Sequence, residues 1–233
     1  MILFEALSSI IIIFAAFYGL FLGGCMKNPN HSHNLLSYYT NLSNIIVLVY
    51  QLCVLASLFV PKSGFYCAVR SPILQYTVTN TIVITFLVYH FILYPAIKIK
   101  RESMTDAEKS GGVITPNNLC VHYIVPLGSL AFWLLFADKN LPFYCVFSWL
   151  AVPAAYSVYI LSRAAHGINI YGKDTPYPYF FIDRKLIGTK CFIRNIALSL
   201  LAFFLLGLIT FASAGFIFCK AEVFWQRSSK KAL

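Results

Sequence analysis

Charge is what this sequence has least of. Only 11% of its 233 residues are charged and eight are acidic, whereas soluble domains carry about 25% charged residues. With 59% hydrophobic residues and a mean hydropathy of +0.74, an ordinary soluble domain is excluded. Cysteine offers no framework either. Seven copies at irregular spacing include no CxxC pair, which argues against a disulfide scaffold. Cys53, Cys145 and Cys219 fall in or near apolar runs, where a thiol behaves as a small hydrophobe. No strand-like alternation points to a barrel, and no repeat at a solenoid period is present. A basic n-region is also missing: only Glu5 precedes or enters the first apolar run as a charge. The LGGC at Leu22–Cys25 is therefore not expected to be a processing site, and Met1–Gly24 reads as a retained span.

What is present is apolar length. Six windows of about 20 residues are long enough to cross a bilayer: Ile2–Gly24, Leu36–Val60, Ile73–Ile97, Asn117–Ala137, Leu141–Ser162 and Cys191–Cys219. Backbone groups cannot go unpaired in lipid, so these are expected to be helices. The expected fold is all-α, a six-transmembrane-helix bundle over residues 1–220 with a basic tail at 221–233. The net charge of +10 lies between and after the spans. It is read as juxtamembrane attraction to anionic lipid, and nucleic acid is not expected as a partner. Lys and Arg divide too evenly between the two faces to orient the chain. Gly19 and Gly23 form a GxxxG pattern, which serves either packing within the chain or a homodimer.

Alternate connections share one membrane face. That face therefore collects the long loops 1–2, 3–4 and 5–6, which hold His31–His33 (HSH), Lys98–Lys109 and Thr175–Asp183 (TPYPYFFID). Two histidines without further ligands are read as a wet loop, with no metal site. Chemistry is expected on that face.

Span 2 carries polar residues in LSYYTNLSNIIVLVYQL (Leu36–Leu52). At 100° per residue Thr40, Asn44 and Gln51 lie within about 40° of one another, and such a stripe is expected to face protein or a cavity. With Asn34 as the cap, Thr40 would lie roughly 9 Å into the helix. In span 4, Thr115–Pro116 is a good helix start, which puts His122 roughly 10 Å deep. Asn118, His122, Ser129 and Trp133 share a face. A hydroxyl and an imidazole at similar depth suggest acyl transfer, with His122 as the base, Thr40 as the nucleophile and a lipid ester as the substrate. Asn44 or Asn118 could serve the oxyanion, and His90 could be a further polar partner. Blander roles compete. Thr40 could bond back to a carbonyl one turn earlier, His122 could only cross-link helices, and Asn44 and Gln51 could be interhelical glue.

Ser37–Asn44 (SYYTNLSN), His122–Pro126 (HYIVP) and Pro176–Asp183 (PYPYFFID) with Gly188 resemble the Pr-six-Pr integral membrane proteins. These are distantly similar to the androgen-induced and androgen-dependent TFPI-regulating membrane hydrolases, which cleave fatty acid esters of hydroxy fatty acids. The resemblance covers most of the chain. It implies a multi-pass protein of the bacterial cytoplasmic membrane, Thr40 as nucleophile, His122 as base, and a membrane lipid or hydrophobic acyl-chain substrate with no cofactor. One departure stands out: the branch tends to carry an acid before the span 4 tryptophan, where this chain has Phe132 before Trp133. The PYPYFFID loop reads either as a lid or as an interfacial aromatic belt. Two other functions are open: a transporter or receptor whose polar stripe lines a ligand path, and a bis-histidine haem protein using His90 and His122. Lack of acidic residues in the spans, Glu5 apart, weighs against proton or cation coupling.

Overall fold

The computed structural model describes residues 2–26, 33–103 and 115–231. Six of its helices are long and apolar enough to cross a membrane: Ile2–Gly24, Tyr39–Ser57, Pro72–Glu102, Pro116–Phe136, Cys145–Ala165 and Arg184–Phe216. They are spans 1 to 6, and the fold is an all-α bundle without strands among the described residues. The backbone of span 6 continues as helix to Lys231. His31, and residues 104–109 of the charged segment, lie outside the described residues.

Spans 1 to 4 form the centre, with 1 against 2, 2 against 3, 3 against 4 and 4 back against 1. Ile12, Val47, Val54, Ile82, Val125 and Phe132 meet between them. In lipid, apolar burial does little to drive helices together, so close approach and polar cross-links hold them instead. Gly19 supplies the closest approach. A Cβ there would stand 2.5 Å from Val121 Cγ1, and one on Gly23 would stand 2.6 Å from Asn117 Cβ. The GxxxG face is thus filled within the chain, by the start of span 4. Spans 5 and 6 attach outside this core. Gly207 of span 6 seats against Trp149, while Tyr76 Oη donates to the Gly207 carbonyl at 2.6 Å and Thr210 Oγ1 bonds Asn80 Oδ1 at 3.0 Å.

Three spans contain π-helical turns, at Tyr18–Cys25, Tyr89–Leu93 and Cys120–Ile124. All three lie at the face that carries the long loops. The second and third are each followed, two residues on, by a proline (Pro95 and Pro126), which has no N–H to give the preceding turn. A wide turn tolerates that loss where another donor steps in. For span 4 the donor is Asn44, whose Nδ2 reaches the Val121 carbonyl at 3.1 Å. Span 5 breaks at Trp149–Leu150, just before Pro153.

Span 4 is closed at its other end by Lys139. Its Nζ donates to the carbonyls of Trp133 (2.5 Å) and Ala137 (2.6 Å) and sits 4.7 Å above the Trp133 ring. Its N–H donors satisfy two carbonyls that the end of the helix leaves open. Lys139→Met should therefore cost about 1–2 kcal/mol, measured by thermal unfolding in detergent. Burial lowers the Lys139 ammonium to about 8, with Asp138 opposing. The unfolded chain then binds that proton more tightly between pH 8 and the ordinary 10.5, so Lys139's contribution to stability rises with pH across that window. The gap between wild type and Lys139→Met should widen as pH is raised through it.

Candidate functional site

The cavity of interest, about 290 Å³, lies at the loop-bearing face. Span 2 contributes Thr40 and Asn41, span 3 Tyr89 and Leu93, and span 4 Asn117, Asn118 and His122. Pro178 and Tyr179 of the 5–6 loop close it.

Span 2 starts later than its sequence suggests. Asn34 does not cap it: the extended residue Tyr38 precedes the helix at Tyr39, and Asn34 instead pairs with the backbone of Tyr171, donating at 2.8 Å and accepting at 2.9 Å. Thr40 therefore sits in the first turn, not some two turns down. Among the described residues its hydroxyl makes no bond to an earlier carbonyl, although the 3-10 turn Leu35–Ser37 precedes it. Thr40 is covered by the loop. Its N–H donates to Tyr179 Oη at 3.4 Å, and its side chain is also in hydrogen-bond contact with Tyr179. Burial pushes the Tyr179 phenol above its ordinary range, offset in part by these bonds, so it remains a neutral donor.

Thr115 does cap span 4, accepting from the Asn118 N–H at 3.4 Å. His122 follows on the π-helical turn and is only 7% exposed. Its ring lies flat on Tyr89, with centroids 3.7 Å apart and planes 12° from parallel. The backbone of Thr85 is a polar neighbour, while Nδ1 is buried without a hydrogen-bond partner. A buried imidazole nitrogen left unpaired is costly, and this one is enclosed by the protein around it. Thr40 and His122 share this cavity but are not hydrogen-bonded to each other.

The other expected site residues divide. Asn118 lines the cavity. Asn44 does not: its amide donates to the Thr40 carbonyl at 2.7 Å and to that of Val121 at 3.1 Å, so it ties span 2 to span 4, a link of about 0.6 kcal/mol on average. Gln51 is buried lower in the bundle with Oε1 unpaired. His90 is exposed, bonded to Tyr123 Oη at 3.2 Å and stacked on Phe86. It lies outside the cavity, which leaves the bis-histidine arrangement without geometric support. Two residues that sequence reasoning did not single out are present instead. Asn41 lines the cavity and is 4% exposed, and its Nδ2 is a buried donor without a partner. Tyr179 is the other. Its only sequence signal is the PYPYFFID run, which does not say which ring turns inward. Phe132 is about 15 Å of helix beyond His122 and packs in the central core, so the missing acid does not alter the cavity wall.

The 5–6 loop is held over the site by named bonds. Besides Asn34–Tyr171, Arg163 reaches Ser37 Oγ at 2.5 Å and the Asn169 carbonyl at 3.0 Å, and His33 stacks on Tyr171. Asn34→Ala should loosen this roof by about 1–2 kcal/mol without disturbing the spans. Faster amide exchange at Tyr171, with unchanged exchange at mid-span amides, is the expected readout.

Comparison with known protein families, curated proteins and solved structures finds no match. Fold and composition define the class: a multi-pass α-helical membrane protein with an inward polar cavity under one face.

Proposed function

We propose that this protein is an intramembrane hydrolase of lipid or fatty-acid esters, with Thr40 as nucleophile and His122 as base. The observation that carries the reading is the shared cavity: Thr40 and the buried imidazole of His122 line the same space beneath the loop. Thr40 Oγ1 attacks the ester carbonyl as His122 takes its proton, forming a C–O bond and a tetrahedral oxyanion. Asn41 lines the cavity and its amide Nδ2 has no other partner, so we assign it as the donor to that charge. Collapse breaks the bond to the alcohol, which leaves with the proton from His122. Water then attacks the acyl-threonine, His122 again acting as base, and the carboxylic acid departs. Tyr89, stacked on the ring, and Tyr179, bonded to Thr40, hold the two groups in orientation.

Following the sequence resemblance, the proposed family is Pr-six-Pr and the proposed setting is the cytoplasmic membrane of a bacterium. The direct test is labelling of the purified protein with a fluorophosphonate probe, followed by peptide mapping. Modification of Thr40 is expected. No labelling would remove the assignment, and labelling confined to another residue would take the nucleophile's role from Thr40.

A further inference from the structure

The cavity that Thr40 and His122 line is one of a series with shared walls. A second cavity, of about 110 Å³, shares Thr40, Leu93 and Tyr179 with it. An apolar groove of about 470 Å³ between spans 3 and 6 shares Ile84, Val88, Ile92, Phe181, Ser199 and Phe203 with the second. Thr40 and Tyr179 therefore stand at the junction between an apolar passage and the pocket of His122.

The seam has a mechanical cause. Spans 3 and 6 are pinned by Tyr76, Asn80, Gly207 and Thr210. Near the loop-bearing face, Asn195 Nδ2 holds the Phe181 carbonyl at 2.8 Å. That bond ties span 6 to the 5–6 loop, and the groove runs from there to the Tyr76 pins along Asn195–Leu206, roughly 16 Å of helix. Its walls are almost wholly apolar and lie within membrane-spanning segments, so the group it meets is lipid hydrocarbon. A second apolar groove, of about 500 Å³, between spans 2 and 5 shares only Tyr156 with the inner cavities. That tyrosine is bonded to the Ser37 carbonyl at 2.9 Å, and the groove shares no other wall with the site.

We infer that a single acyl chain enters sideways from the membrane through the seam between spans 3 and 6, passes beneath Phe181 and Tyr179, and presents its carboxyl-derived end at Thr40. This rests on the hydrolase reading for its chemistry, and it narrows the substrate class to esters whose acyl part is a long apolar chain.

Two measurements test it. With Ala202→Trp, which fills the groove, the ratio of p-nitrophenyl palmitate to p-nitrophenyl acetate hydrolysis should fall at least about tenfold. An unchanged ratio in a folded variant would overturn the passage. Independently of turnover, a diazirine-bearing palmitate in phosphatidylcholine vesicles should cross-link wild-type and Thr40→Ala protein at span 3 and span 6 peptides containing Phe91 and Ala202. Cross-linking at Leu42 and Val152 instead, or none that excess palmitate competes away, would also overturn it. Cross-linking at the seam in a wild-type protein that cleaves neither ester would keep the passage and discard the hydrolase.

Discussion

Thr40→Ala should abolish ester turnover, with a loss of roughly a thousandfold or more, while the protein still folds. Folding is expected because the bonds that secure this turn do not use the threonine side chain. Ser43 Oγ and Asn44 Nδ2 both donate to the Thr40 carbonyl, at 3.0 and 2.7 Å, and Ser43 is further tied to Thr85 Oγ1 at 2.7 Å. Removing the hydroxyl takes away the nucleophile and leaves that network in place. Thr40→Ser keeps the hydroxyl and should keep measurable activity. His122→Ala should cost about 10²–10⁴, and the double variant should be little worse than Thr40→Ala, because groups that act as a unit are not additive. Initial rates on a chromogenic ester, with thermal unfolding as the folding control, check all of these. Retained hydrolysis in a folded Thr40→Ala protein would show that the hydroxyl is a lining group only.

Gly19→Val should be the most damaging packing change. A Cβ at that position already meets Val121 Cγ1 at 2.5 Å, Cys120 Cβ at 3.1 Å and the Asn117 carbonyl at 3.3 Å, before the two valine methyls are added. Relief would require span 1 to move away from the turn that carries His122. Overpacking of this kind costs about 1–3 kcal/mol and occasionally more. Because the first contact is a side chain, Val121→Ala should restore part of the loss, and a double-mutant cycle measures the coupling. The neighbouring backbone oxygen cannot be trimmed, so the rescue should be partial. Unfolding temperatures in detergent that match wild type for Gly19→Val would mean that the two helices are not in contact there.

Both results would also show which features of this molecule are local and which are collective. The six crossings were legible because lipid demands about twenty apolar residues per helix and penalises unpaired backbone; each predicted window overlaps an observed span. The inward turn of span 2 was legible for the same reason, since Asn44 and Gln51 could not face hydrocarbon and are buried. Thr115–Pro116 announced the start of span 4 through its own chemistry. Other assignments depended on partners far along the chain. Asn34 reads as a cap, yet it is taken by Tyr171, 137 residues away. Asn44 reads as interhelical glue or as an oxyanion donor, and the Val121 carbonyl that takes its amide decides for the first.

The sequence alone determined an all-helical, six-crossing protein with its polar groups turned inward, because solvent chemistry acts on every residue of a span without regard to its neighbours. Only the tertiary structure decided which of those groups meet. It set Thr40 beneath Tyr179, left His90 outside and opened the seam between spans 3 and 6. The physical reason is that π-helical turns and loop docking change where a side chain points, and both are settled by contacts between distant segments.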